Sequence, residues 1–379
     1  MAQTVCSARM TTASTSELTE LLRERIKQEG PITFHEWMRA ALYDPLHGYY
    51  FRADRAKWGR AEDYRTSPER SSLFGATFAR YIAGLYEESG SPPSLTILEA
   101  GAGDGSFAHA LLETLQLSFP RVFAATRYVI DERSPQSQSA ARKRLLPFAE
   151  RIAFESIDDI EIDFGIVFSN ELFDAFPIHR VKMEAGRLRE FYVEVSADGE
   201  FQWTLAELSK QSIAVYFAGC GVQPGEGQVA EVNLDIEDWL KKAASKLQSG
   251  FVITVDYGAE TAELYPASPD DSRYQGTLRS FQRHQIIDNV LSNPGEQDLT
   301  STVNWSFVKA VGEKLGLDVV ELTRQDKFLL AAGLLEQLEL ESKQTEGATD
   351  KLRLSNAALE MIMPTRMSAH FQVLVQKKI

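Results

Sequence analysis

Apolar residues in the first quarter of the chain recur at helical spacing. Leu18, Leu21, Leu22 and Ile26 share one face, with Ser14 or Ser16 as the start, Glu17 in the opening turn and Gly30-Pro31 as the stop. Thr33 can cap a second helix with Glu36 three places on. Its apolar side is Phe34, Trp37, Met38, Ala41 and Leu42, and Asp44-Pro45 ends it. A third helix buries Leu73, Phe74, Phe78, Tyr81, Ile82 and Leu85, after a polar turn in which Ser67 is the cap and Pro68 the first helical position.

From Thr96 the pattern changes to short apolar runs alternating with helices, the mark of an α/β protein with a parallel sheet. The runs are Thr96–Leu98, Arg127–Glu132, Ile152–Glu155, Gly165–Ser169 and Gly250–Gly258, then Asp318–Leu322 and Phe371–Gln376. His179 to Trp203 instead alternates residue by residue, with turns at Glu184-Ala-Gly186 and Asp198-Gly199, which predicts an inserted region of antiparallel hairpins. Helices are predicted through Ile236, Trp239, Leu240, Ala243 and Leu247, over Val303–Leu315 and over Phe328–Glu341, with a polar loop from Ser342 to Asp350. Ala259 to Thr300 is long, polar and rich in Pro and Gly, as functional loops are. The resulting segments are a loose tail (1–16), an N-terminal helical part (17–90), a first stretch of core (91–177), the β insert (178–235), a second core stretch (236–258), the functional loop (259–303) and the C-terminal part of the core (304–379).

The formal charge of −14 over 379 residues opposes a nucleic-acid partner and favours a basic one. Cys6 and Cys220 stand far apart and the six histidines are scattered, so no metal site is expected. No apolar run approaches the length of a membrane span, and Met1 to Ser16 has no hydrophobic stretch for a secretory signal. A cytoplasmic protein is the expectation. The oligomeric state stays open, a homodimer among the options.

The chemistry concentrates at Glu99-Ala-Gly101-Ala-Gly103-Asp104-Gly105, between the first strand and the helix carrying Ala108, Leu111, Leu112 and Leu115. Alternating glycines let the backbone turn tightly and approach a ligand, and the new helix directs free N–H groups at it. Ser106 stands where a dinucleotide fingerprint wants its last glycine. Glu99 and Asp104 would repel a pyrophosphate but suit S-adenosylmethionine, which carries a sulfonium and an ammonium. Glu132 ends the second strand, where a carboxylate grips a ribose diol, and is preferred to Asp131. Asp158, after the third strand, can meet adenine. Ser67 and Glu69 are assigned to the cofactor site because a helix N-terminus there can hold a ligand carboxylate. Asn170, Glu171 and Asp174 follow the fourth strand at the carboxyl edge, where open α/β sheets bind ligands.

In order along the chain, GPITFHEWMRAALYDPLHGYY, DYRTSPE, ILEAGAGDGSF, YVIDERSP, FSNELFDAFP, VDYG, TLRSFQRH and PGEQDLT resemble the MidA-like S-adenosylmethionine-dependent methyltransferases, a family that includes a mitochondrial assembly factor for respiratory complex I. The resemblance covers most of Gly30 to Val311. It implies a Rossmann-like, seven-stranded methyltransferase sheet carrying an inserted substrate region and, for the mitochondrial member, methylation of a protein arginine. Carried over by position, Glu99, Gly101, Gly103 and Glu132 look like the cofactor site, and Asn170 and Glu171 the polar edge facing it.

Methyl transfer is an in-line displacement in which the protein chiefly positions the reactants and excludes water. A guanidinium acceptor needs carboxylates to hold it and to take up the proton it loses. Glu171 and Asp174 are assigned that work, with Asp256 and His284 as second candidates, His284 as a base near neutral pH. Three other readings stay open: an assembly factor that binds the cofactor without catalysis, a small-molecule methyltransferase, and a nicotinamide-dependent oxidoreductase.

Overall fold

The computed structural model describes residues 16–52, 72–282, 285–363 and 370–379. Seven strands make the main path of its central sheet, β1 (Leu95–Ala100), β2 (Thr126–Asp131), β3 (Ile152–Phe154), β4 (Ile162–Asn170), β5 (Leu247–Ala259), β6 (Leu317–Arg324) and β7 (Phe371–Lys378), and the two-residue strand Val303–Asn304 pairs beside the end of β5 as an eighth. They lie in the order β6-β7-β5-β4-β1-β2-β3. All run parallel except β7, which is antiparallel to both its neighbours. This is the α/β sheet the sequence predicts. Burial on both faces explains the near-continuous apolar runs, as in β5, where Phe251, Val252, Ile253 and Val255 are all buried.

One face is covered by helices Ser72–Glu88 and Ser106–Ser118, whose Phe78 and Phe107 pack on Phe168 of β4, the Phe107 and Phe168 rings stacked 4.1 Å apart. Phe328, Leu334 and Met361 of the C-terminal helices join that core. The other face is covered by helices Asp235–Lys246 and Trp305–Lys314. Because β1 sits between β4 and β2, the connections leaving β1 and β4 diverge and open a crevice at their carboxyl ends.

A second sheet joins His179–Glu184, Arg187–Val195, Phe201–Ala206 and Val229–Val232, the antiparallel insert. Ile32–Thr33, from the N-terminal part, pairs with Arg187–Val195 in that same sheet. The two parts also share a core, since Leu22, Phe34, Trp37 and Met38 pack with Val193 and Leu299. Ser16 caps the first helix, and Thr33 and Glu36 form both halves of a capping box on the second.

Several elements differ from the sequence reading. Helix Phe328–Glu341 is two helices, Gln325–Ala331 and Leu334–Gln344, because Gly333 adopts a φ of 92° that ends the first. Most of the polar Ser342–Asp350 loop is helical, and Ala348–Ile362 forms a further helix on which only Ala358 and Met361 are buried, too narrow an apolar stripe to signal itself. Helix Gln211–Gly219 begins without a side-chain cap and escaped notice for that reason. The stretch read as a polar loop holds a small sheet of Arg279–Gln282, Gln285–Ile286 and Asp298–Thr300. Ser67, Glu69 and His284, and the tail up to residue 15, lie outside the described residues.

Candidate functional site

The turn after β1 is shaped by three glycines with positive φ: 71° at Gly101, 55° at Gly103 and 78° at Gly105. A side chain is strained there, and a Cβ on Gly101 would approach Leu172 Cδ1 to 3.1 Å. The turn is held from β2. Glu132 accepts the Gly103 N–H at 2.9 Å through Oε2 and the Ser134 N–H at 2.7 Å through Oε1, so a backbone strut joins the ends of two strands. Beside it, Asp131 accepts the Ile157 N–H at 3.1 Å.

These residues form one end of a cavity of about 740 Å³, large enough for a nucleoside with an amino-acid side arm. Gly101, Asp131, Glu132, Ser134 and Ile157 line this end. At the other end the walls come from three distant parts of the chain: Tyr43 and Tyr50 of the N-terminal part, Glu171 and Asp174 after β4, and Tyr257, Asp298 and Thr300. A third side is bounded by His35, Arg39 and Lys210 with Asp235 of helix Asp235–Lys246. His35 Nε2 donates to Asp235 Oδ1 at 3.0 Å, its Nδ1 accepts from Arg39, and its ring stacks on His179, which pairs with the buried Glu190.

The acidic end is largely buried. Asp174 is 4% exposed, accepts the Tyr257 hydroxyl, and its backbone oxygen takes the Ser301 N–H at 2.9 Å. Burial pushes its carboxyl up to about 7, Tyr257 opposes that shift, and the Asp298 charge adds to it. Asp298 accepts the Tyr50 hydroxyl at 2.8 Å, and Tyr43 donates to the Ala175 carbonyl at 3.0 Å. Asp256, fully buried beneath, accepts the N–H groups of Phe173 at 3.0 Å and Asp174 at 3.3 Å. Burial and the neighbouring Asp174 and Glu171 charges hold its carboxyl far above the usual range. Glu171 has a φ of 50°, unusual for a non-glycine residue, and its N–H is fixed to the Val255 carbonyl at 2.9 Å. That bond is the last rung between β4 and β5, and Glu171 lines the cavity just beyond it.

Gly101, Glu132, Glu171 and Asp174, four of the residues singled out from sequence, thus line one cavity. Others do not reach it. Glu99 is 4% exposed and accepts the Tyr128 hydroxyl at 2.7 Å, and burial lifts its carboxyl to about 8, so it is largely uncharged at neutral pH. Asp104 faces the following helix, where it accepts the Ser106 N–H at 3.0 Å and pairs with Arg144 at 2.5 Å. It braces the turn that enters that helix, whose N-cap position is Gly105. Asp158 pairs with Lys242 at 2.8 Å on the surface, and Asn170 donates to Glu171 Oε1 at 3.1 Å from beside the wall. Gly103 acts through its N–H on Glu132. Sequence reasoning missed Tyr50 and Asp298. Both sit inside quoted motifs, GYY and GEQDLT, and an acid in a long polar loop was the available signal.

Residues 77–323 match the model of the family described as "Putative S-adenosyl-L-methionine-dependent methyltransferase". A Burkholderia thailandensis protein crystallised with S-adenosyl-homocysteine superposes with a TM-score of 0.83 at 28% identity, covering 95% of this chain and 92% of that one. Two curated relatives are similar over most of their length. The protein arginine methyltransferase NDUFAF7 homolog, mitochondrial, of Drosophila melanogaster is 26% identical, with 94% of this chain and 84% of the relative covered. Protein arginine methyltransferase NDUFAF7, mitochondrial, of Xenopus tropicalis is 27% identical, with 86% and 78% covered. The mitochondrial names overturn the cytoplasmic expectation. Composition, charge and the lack of an apolar span are alike in the two compartments and never discriminated between them. Among the described residues no helix is long and apolar enough to cross a membrane.

Proposed function

Since the chain belongs to the family of S-adenosyl-L-methionine-dependent methyltransferases, we propose that its acceptor is a guanidinium nitrogen of a protein arginine and that it works in mitochondria, as its curated relatives are named. The observation that carries this reading is the shape of the cavity. A glycine turn suited to close approach stands at one end, and an acidic, tyrosine-lined wall at the other.

The residues present fit the cofactor. Gly101 leaves room where a Cβ would crowd Leu172, and Glu132 has both oxygens anchored by N–H groups while lining the cavity, so its remaining lone pairs suit a diol. Gly101, Gly103 and Glu132 hold the cofactor in this reading, the last two as one strut. Asp131 and Ile157 border the base, in place of Asp158. Bound S-adenosylmethionine supplies a methyl group on a positively charged sulfur, ready for displacement by a nucleophile.

The chain's own part is positioning and proton handling. Glu171 and Asp174 orient a planar cation by charge-assisted hydrogen bonds. The nitrogen that gains a methyl group gives up a proton, and the Asp174 carboxylate, raised toward neutrality by burial, is matched to receive it. The N-terminal part and the β insert, sharing a sheet and a core, form the lobe that presents the acceptor.

The test is calorimetric titration with S-adenosylmethionine, S-adenosylhomocysteine and NADH on the wild type, Gly101→Val and Glu132→Ala. Binding of the first two, lost in both variants, supports the assignment. Radiolabelled methyl transfer to arginine-containing but not lysine-containing protein then supports the acceptor. Transfer only to small molecules, or binding without any transfer, would refute it.

A further inference from the structure

The acidic end of the cavity holds one feature that the cofactor does not use. Asp174 Oδ1 is buried and has no hydrogen-bond partner among the described residues, although the other oxygen of the same carboxylate is taken by Tyr257. A buried carboxylate oxygen without a donor costs on the order of 1–3 kcal/mol, so such an atom at a cavity wall marks a place where a donor arrives with a ligand. Asp298 stands on the same wall, 9% exposed, its charge felt by Asp174 and its Oδ1 fixed by Tyr50. The segments that carry the two residues are also joined through the backbone, by the Ser301 N–H on the Asp174 carbonyl.

Resting on the arginine reading above, we propose that Asp298 is the specificity-determining residue of the acceptor site. It pairs with Asp174 to form a two-carboxylate wall that takes a cationic, hydrogen-bond-rich side chain, with Tyr50 as the positioning residue that aims Asp298. Neither Asp298 nor Tyr50 belongs to the methyltransferase sheet. Asp298 lies in the small sheet between β5 and β6, and Tyr50 after the second N-terminal helix. The acceptor site is therefore completed by segments outside the cofactor-binding core, which lets acceptor preference vary while the glycine turn stays fixed. The Asp298 charge disfavours ionisation of Asp174 in the empty site. A planar cation with several N–H donors relieves both the repulsion and the unpaired Oδ1. An ammonium, with three donors around one point, satisfies two separated carboxylates less well.

The experiment uses the full chain saturated with S-adenosylhomocysteine and titrates three probes: Nα-acetylarginine amide, Nα-acetyllysine amide and the uncharged isostere Nα-acetylcitrulline amide. Binding is read by calorimetry and by shifts of the labelled probe's resonances. The arginine probe is expected to bind in preference to the lysine probe and far more tightly than citrulline. Asp298→Asn should weaken the arginine probe at least about tenfold, the usual scale for removing a charge-assisted bond, with S-adenosylhomocysteine affinity unchanged, which also reports that the variant is folded. Tyr50→Phe should weaken it by less. Equal arginine-probe affinity in wild type and Asp298→Asn would overturn the inference and leave the methyltransferase assignment standing. Failure of all three probes to bind the loaded wild type would overturn the pocket itself. Preference for the lysine probe, still lost in Asp298→Asn, would refute the arginine reading while supporting Asp298 as the acceptor residue.

Discussion

Replacing Asp174 by Asn should stabilise the empty protein at alkaline pH, although it removes a carboxylate from the proposed active site. The side chain is 4% exposed, and its carboxyl is pushed up to about 7 from an ordinary 3.8, chiefly by burial. A group that binds its proton more tightly when folded favours the fold fully below the unfolded pKa. That contribution falls away as pH rises toward the folded one. The window here runs from about pH 4 to about pH 7. Across all of it the ceiling is ~4 kcal/mol. Between pH 5.5 and 8 the expected change is ~2 kcal/mol. Asn keeps an oxygen to accept the Tyr257 hydroxyl and carries no charge to desolvate. Titrating groups that do not feel Asp174, such as Glu99, are present in both proteins and cancel in the difference. Urea unfolding of ligand-free wild type and Asp174→Asn at the two pH values measures it. The variant should gain on the wild type by ~2 kcal/mol on going to pH 8. An identical stability gap at both pH values would show that Asp174 is ionised throughout, and the raised carboxyl at the acidic wall would fall.

The same shift bears on turnover: the cation needs Asp174 ionised, so kcat/KM for an arginine acceptor should climb as pH rises through about 7 and arginine-probe binding near pH 6.5 should release a proton, measurable from calorimetry in buffers of different ionisation enthalpy; a profile flat from pH 6 to 8 would contradict it. Gly101→Ala places a Cβ 3.1 Å from Leu172 Cδ1 at a φ of 71°, a strain of about 1–2 kcal/mol, and should weaken S-adenosylhomocysteine about tenfold, with unchanged affinity showing that the turn does not touch the ligand. Thr33→Ala removes the capping box of helix Phe34–Tyr43 and should lower unfolding stability by about 1 kcal/mol, read as a drop in Tm with no change in cofactor affinity.

What could be read from the sequence was what neighbours in the chain decide. Strands β1, β4 and β5 announced themselves because a strand buried on both faces must be apolar without alternation, and the capping box showed because Thr33 and Glu36 are three residues apart. The glycine turn and the acids after β2 and β4 followed from one topological rule about strand ends. Where the reading strayed, the deciding partner was remote. Asp104 resembled a cofactor carboxylate until Arg144, 40 residues on, took it for the helix end. Asp158 is likewise held by Lys242. Glu99 has the right residue type at the right place, yet Tyr128 and the interior of the sheet enclose it.

The acceptor wall is the extreme case of that remoteness. Tyr50 and Asp298 are 248 residues apart and meet only because the N-terminal helices pack with the insert and with Leu299 in one core. Nothing local marks either residue as functional. Their union at the carboxyl edge of β4 and β5 also gives the lobe a reason to exist beyond packing. A parallel sheet can present a glycine turn and a strand-end carboxylate by itself, but it offers a second carboxylate no support opposite the first. By carrying Asp298 and Tyr50 to Asp174, the added segments close the cavity with charge where the core alone would leave it open to water.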